Sequence, residues 1–77
     1  MKLFAEIQFK DITIHDAEVC MISDYIFTFD LPLETSTCEI EYITYNGGEI
    51  TCYTSFIHVT LKREDVTSYE LFRKYEE

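Results

Sequence analysis

The sequence predicts an α+β domain that is mostly β, a small antiparallel sheet or open barrel of about five strands with a short C-terminal helix. Three observations carry that expectation. Apolar and polar residues alternate through much of residues 2–61, the period of a strand with one buried face. The run Thr37 to Leu61 is interrupted by Asn46-Gly47-Gly48, and Asn-Gly between alternating segments is the strongest short-range hairpin signal. After Val66 the period changes, with Thr67 and Glu70 at the spacing of a helix capping box.

Residues 2–10 place Leu3, Ala5, Ile7 and Phe9 on one side and Lys2, Phe4, Glu6, Gln8 and Lys10 on the other, which predicts a half-buried first strand. Lys10-Asp11 reads as a turn. Beyond it, Ile12 to His15 and Glu18 to Ile22 read as two short strands or as one strand bent at Asp16-Ala17. A helical turn around Ala17 to Ile22 is the alternative, because the apolar run there fits neither period. Ser23-Asp24 breaks the pattern, and Tyr25 to Leu31 resumes it, with Tyr25, Phe27, Phe29 and Leu31 opposed to Ile26, Thr28 and Asp30. Pro32 cannot donate to a ladder and ends that strand. Residues 33–36 form a loop.

The predicted hairpin over Thr37 to Leu61 has two competing registers. A two-residue loop at Asn46-Gly47 mixes carboxylates and apolar side chains on one face. A three-residue loop, with Gly48 left-handed in a bulge, pairs Tyr45 with Glu49. It puts Cys38, Ile40, Tyr42, Ile50, Cys52 and Phe56 on one face and Glu39, Glu41, Tyr45, Glu49, Thr51, Tyr53 and Ser55 on the other. The second register separates polarity better, although it strands Ile43 and Ile57 on the polar side. At the C-terminus, Thr67 as N-cap (or Asp65 in its place) starts a helix from about Ser68 to Glu76, with Val66 stapled on Leu71 and with Leu71, Phe72 and Tyr75 near one face.

The 77 residues allow one domain, 1–77, burying roughly 60 to 65% of its unfolded surface. A hydrophobic fraction of 47% with 16% aromatic residues is that of a folded chain. Three cysteines with no Cys-x-x-Cys pair argue against a disulfide scaffold and for a reducing, cytoplasmic setting. In the chosen register about 13 Å of strand separates Cys38 from Cys52, beyond disulfide reach. Lys2 and a short apolar run at the start are interrupted by Glu6, Gln8 and Lys10, so neither a signal peptide nor a membrane span is expected.

Charge is the sharpest bulk property. Six Lys plus Arg against fifteen Asp plus Glu give a net charge of -9. Residues 11–61 contain no Lys or Arg and hold Asp11, Asp16, Glu18, Asp24, Asp30, Glu34, Glu39, Glu41 and Glu49. Such a surface repels nucleic acid phosphates and anionic lipids and attracts cationic partners. The alternative is that charge simply keeps an aromatic-rich chain soluble.

No catalytic constellation emerges. Cys20, Cys38 and Cys52 are the available nucleophiles and His15 and His58 the available bases, yet there is no nucleophile elbow and only two glycines. Cysteines on apolar strand faces are usually core. The Cys and His spacings match no zinc pattern, and Asp11, Asp16 and Glu18 do not fit a calcium loop. Gly47-Gly48 makes a turn and no phosphate cradle. The expectation is therefore no enzyme, no cofactor and no metal. In strand order the chain is loosely similar to small barrels such as PilZ domains, but it has neither their Arg-x-x-x-Arg clamp nor their Asp/Asn-x-Ser-x-x-Gly turn, so no site residues carry over.

What remains is the outer hairpin face, where Glu39, Glu41 and Glu49 are interleaved with Tyr45 and Tyr53. Carboxylates accept bidentate Arg contacts and the rings offer faces for guanidinium stacking. The leading functional expectation is a small acidic, non-enzymatic protein-binding module that occupies a basic surface of its partner. Where that surface holds nucleic acid, the module is a nucleic acid mimic and inhibitor. In size and charge the chain is similar to small acidic phage and mobile-element proteins, including anti-CRISPR inhibitors. Two alternatives stand beside this. One is a ligand-binding barrel lined by Tyr25, Phe27, Phe29, Tyr42 and Phe56; the other is a homo-oligomer, such as a homodimer, paired edge to edge.

Overall fold

The computed structural model describes residues 2–74. In chain order the elements are β1 (Lys2–Phe9), β2 (Ile12–Ile22), β3 (Ile26–Pro32), α1 (Thr37–Tyr45), β4 (Glu49–Cys52), β5 (Phe56–Lys62), a 3-10 turn (Arg63–Asp65) and β6 (Val66–Lys74). The strands form one antiparallel sheet in the order β4-β5-β3-β2-β1-β6. The predicted antiparallel, mostly β architecture with one short helix therefore forms, as an open sheet with the helix in the middle of the chain.

Strand alternation decides which side chains are core. Ala5, Ile7 and Phe9 of β1, Phe27, Phe29 and Leu31 of β3, and Ile57, Val59 and Leu61 of β5 are buried together. The bend in β2 has a specific purpose. Ile14 and Ala17 are both fully buried, yet three positions apart they would face opposite ways in a regular strand. Asp16 at φ 54 absorbs an extra residue where the pairing steps from Ala5↔Ala17 to Ile7↔Ile14, restoring the phase. Asp is among the few residues that adopt this left-handed geometry cheaply. A second irregularity follows at Cys20, between Val19↔Phe29 and Met21↔Thr28.

The sheet curls strongly around this core. Phe27 of β3 and Tyr69 of β6 are separated in the sheet by two strands, yet their rings meet edge to face at 5.1 Å. The Arg63 guanidinium stacks 5.1 Å over Tyr69, and its backbone N–H donates to the Tyr25 carbonyl at 2.9 Å. The edge strand β6 is thus tied across the curl to β3 without closing a barrel.

Two elements depart from the sequence expectation. Thr37–Tyr45 is a helix, not the first arm of a hairpin. Ser36 caps it by accepting the Cys38 N–H at 3.2 Å. Asn46-Gly47-Gly48 closes it: Asn46 Nδ2 donates to the Tyr42 carbonyl at 2.9 Å, the Gly48 N–H donates to the Ile43 carbonyl at 2.8 Å, and Gly47 adopts φ 97. A helix C-cap and a hairpin turn both call for a glycine at positive φ, so the same tripeptide signals either. Ile43, left on the polar side by the strand reading, is the fully buried residue of this helix, and burial overrides the local preference of its β-branched neighbours for strand. The pairing of Tyr45 with Glu49 is accordingly replaced by Glu49↔Thr60 and Cys52↔Ile57. The hairpin that does form is β4-β5, turning where the Tyr53 N–H donates to the Phe56 carbonyl at 2.9 Å.

The predicted C-terminal helix is strand β6. It pairs with β1 from Phe9↔Val66 to Lys2↔Lys74. Thr67 does not cap; its hydroxyl donates to the Gln8 carbonyl at 3.2 Å. Phe72 stacks on Phe4 at 6.2 Å. A capping box is worth about 1 kcal/mol, less than covering the otherwise open edge of β1 along its whole length. Tyr75 and Glu76 lie outside the described residues.

Candidate functional site

Because Phe29 and Leu31 point into the core, Asp30 between them must point out; the same holds for His58 between Ile57 and Val59. Asp30 and His58 are direct cross-strand partners. The His58 ring Nδ1 and Asp30 Oδ1 lie 2.7 Å apart, with the two side chains 31% and 23% exposed. Cys20, displaced by the irregularity in β2, joins them: one donor atom from each of Cys20, Asp30 and His58 falls within 4.8 Å of the others. Partial burial of its sulfur pushes the Cys20 thiol up to about 11, helped by the charge and hydrogen bonding of Asp30 and by the charge of Glu18. A thiol in such surroundings is a poor nucleophile at neutral pH.

Next to this cluster a groove of about 320 Å³ is lined by Phe4, Asp16, Glu18, Asp30, Leu31, Pro32, Ser55 and Phe56. Its carboxylates come from β2 and β3 and its aromatic rings from β1 and β5. The chain's own lysines already use part of it. Lys74 Nζ lies 3.1 Å from Asp16 Oδ1 and 4.8 Å above the Phe4 ring, with Phe72 at 5.8 Å. Lys2 Nζ stands 3.7 Å from Glu18 Oε1. Carboxylate oxygen with an aromatic face is the environment that suits an ammonium or guanidinium group. Tyr53, stacked on Phe56 at 4.8 Å, extends the aromatic surface beyond the groove.

The residues singled out from sequence are distributed differently from the expected single strand face. Glu39, Glu41 and Tyr45 lie on α1, Glu49 begins β4, and Tyr53 follows β4. Two residues apart on a helix, Glu39 and Glu41 diverge by about 200°. Glu39 is half-buried, and burial raises its carboxyl above the usual range while His15 pulls it the other way. Glu41 and Tyr45, one turn apart, are both exposed, Tyr45 at 90%. None of the five lines the groove, although Tyr53 adjoins it through its stacking on Phe56. A second hollow of about 370 Å³ lies between α1 and β2, lined by Ile12, Thr13, Cys38, Glu39 and Tyr42.

The cysteines expected in the core are instead exposed free thiols. Cys20 occupies a strand irregularity, Cys38 the first turn of α1 and Cys52 the end of edge strand β4, all places where the strict inward and outward alternation does not hold. The five aromatics considered as a pocket lining do not converge. Tyr25 is 83% exposed, Phe27 and Phe29 pack on each other within the core, Tyr42 meets Phe9, and Phe56 stacks on Tyr53.

Sequence reasoning missed Phe4, Asp16, Glu18, Cys20, Asp30 and His58 as a group. Alternation in residues 25–31 did set Asp30 opposite Phe27 and Phe29. The missing information was the order of strands, which places β2, β3 and β5 side by side. No helix of the described residues is long and apolar enough to cross a membrane. No protein-family model matches the chain, and neither a curated protein nor a solved structure is significantly similar to it.

Proposed function

We propose that this chain is a small acidic, non-enzymatic module that binds a basic surface of another protein through the groove on the outer face of its sheet. The observation that carries this reading is the placement of Lys74, held between the Asp16 carboxylate and the Phe4 and Phe72 rings. It supports the reading because a partner's lysine or arginine would meet the same combination of carboxylate oxygen and ring face. The run of residues 11–61 without Lys or Arg supports long-range attraction of such a partner. Glu41, Tyr45 and Glu49 add acidic and aromatic surface on α1 and β4. Where the partner's basic surface ordinarily takes nucleic acid, occupation by this module inhibits that binding. The Cys20 thiol, pushed up to about 11, supports a role without covalent catalysis.

The test is a low-salt pull-down with three baits: the natural chain, Asp16→Asn/Glu18→Gln, and Glu39→Lys/Glu41→Lys/Glu49→Lys. Salt-sensitive capture of a basic protein by the natural chain, lost with the Asp16/Glu18 bait, is the expected result. Equal recovery of the same proteins by all three baits would reduce the acidic surface to an aid to solubility. A second reading has its own observation, the nine-residue outer edge strand β6, which could pair with a second copy. Light scattering at high concentration separates the two, since edge pairing gives a dimer without any partner.

A further inference from the structure

We propose that Cys20, Asp30 and His58 form a binding site for a divalent transition-metal ion of the zinc class, with Cys20 Sγ, an Asp30 carboxylate oxygen and a His58 ring nitrogen as ligands. The inference stands apart from the partner-binding reading, since it rests on different side chains except for Asp30.

The donors arise from three adjacent strands, β2, β3 and β5, and the sheet beneath them is anchored by the fully buried Phe29 and Val59. Ligands mounted on paired strands are held more tightly than ligands on loops. A tetrahedral ion with bonds of about 2.0 to 2.3 Å needs donor atoms roughly 3.3 to 3.7 Å apart. The observed donors lie within 4.8 Å of one another, and side-chain rotation closes that difference without moving a strand. His58 Nδ1 and Asp30 Oδ1, 2.7 Å apart, separate slightly as the ion enters between them. A neutral imidazole that ligates through Nδ1 carries its proton on Nε2. The Cys20 thiol loses its proton to solvent, so binding releases protons.

The donor chemistry selects the metal. One sulfur, one nitrogen and one oxygen suit zinc or cobalt, whereas magnesium and calcium require oxygen sets. Electrostatics agree with this choice. Glu18 sits directly across the ladder from Asp30, and two carboxylates on neighbouring strands favour a dication between them. Three protein ligands leave a fourth position open to water or to a donor from a bound partner.

Cobalt(II) provides the direct readout, because a thiolate ligand gives a near-ultraviolet charge-transfer band and tetrahedral geometry gives strong visible bands. The experiment uses the reduced, untagged chain carrying Cys38→Ser/Cys52→Ser, so that Cys20 is the sole thiol. Expected are both signals at one cobalt per chain, bleaching by one equivalent of zinc, and loss of the charge-transfer band in Cys20→Ser. His58→Ala and Asp30→Asn should each weaken zinc binding by roughly tenfold or more, with circular dichroism confirming that the sheet is retained. Absence of a thiolate band at saturating cobalt would overturn the site. So would zinc affinity unchanged in both His58→Ala and Asp30→Asn.

Discussion

The same three strands, β2, β3 and β5, present two surfaces of opposite character. Toward the inside, Phe29 and Val59 are cross-strand partners and fully buried. One residue along, Asp30 and His58 are also partners, but they face out beside Cys20, Glu18 and the aromatic walls of the groove. Inside, free energy comes from removing apolar area from water and from close packing. Outside, the pairs are polar and partly solvated, so each adds little stability. Chemistry can therefore accumulate on the outer face at small cost to the fold, while the inner face tolerates little change.

The contrast is most easily broken from within. Phe29→Ala should destabilise the chain by about 3 to 5 kcal/mol, measured from the urea midpoint. That is a large share of the roughly 4 to 12 kcal/mol expected for a domain of this size. A loss below about 1 kcal/mol would mean that the inner face is not the close-packed layer described here. Gly48→Ala probes the seam between α1 and the sheet. A Cβ there would collide with the Ile43 side chain and lie 2.9 Å from the Ile43 carbonyl and 3.0 Å from Leu61 Cδ2. The expected cost is about 1 to 3 kcal/mol.

Outer-face changes should be much milder. Asp30→Asn removes one partner of the His58 contact, 23% exposed, and should lower stability by less than about 1 kcal/mol. It should also speed alkylation of Cys20 at pH 8, because the Asp30 charge and hydrogen bond help hold that thiol protonated. Since burial is the larger cause, the reactivity should rise without reaching that of an ordinary exposed thiol. Mass spectrometry of the iodoacetamide product reads both the rate and the site.

The smallest effect concerns Glu39. Its folded pKa is raised by burial, so the folded state holds the proton more tightly than the unfolded chain does. Its contribution is favourable at low pH and is lost as pH rises through the unfolded and then the folded value. Glu39→Gln should therefore be slightly more stable than the natural chain at pH 7, with the difference shrinking below pH 4. A thermal midpoint that shifts equally at both pH values would show that this carboxyl does not sense burial.

Legibility of the sequence varied with the kind of interaction that decides each element. β1, the Lys10-Asp11 turn, the break at Ser23 and the stop at Pro32 were readable, because each is set by alternation or by one residue's backbone chemistry, whereas the bend at Asp16 was one of three readings left open for residues 12–22. The stretches 37–45 and 66–74 were not. Asn46-Gly47-Gly48 satisfies a helix cap as well as a hairpin turn, and Thr67 with Glu70 matches a capping box in a segment that covers an open strand edge. One sign was present in the first case: a strand register that leaves Ile43 and Ile57 on its polar side is energetically suspect, and both residues are buried. The five residues marked for partner contact were grouped through a strand face that does not form, so they scatter over α1, β4 and the turn after β4.

By itself, the sequence determined an antiparallel, mostly β chain, with its positive charge confined to the ends and a long acidic middle. Those properties depend on residue type and on neighbours a few positions away. Only the tertiary structure decided which segment became the helix, that β6 covers β1, and that Cys20, Asp30 and His58 meet beside an acidic aromatic groove. Each depends on contacts between residues distant in the chain, where the burial of Ile43 and the open edge of β1 outweigh local preference.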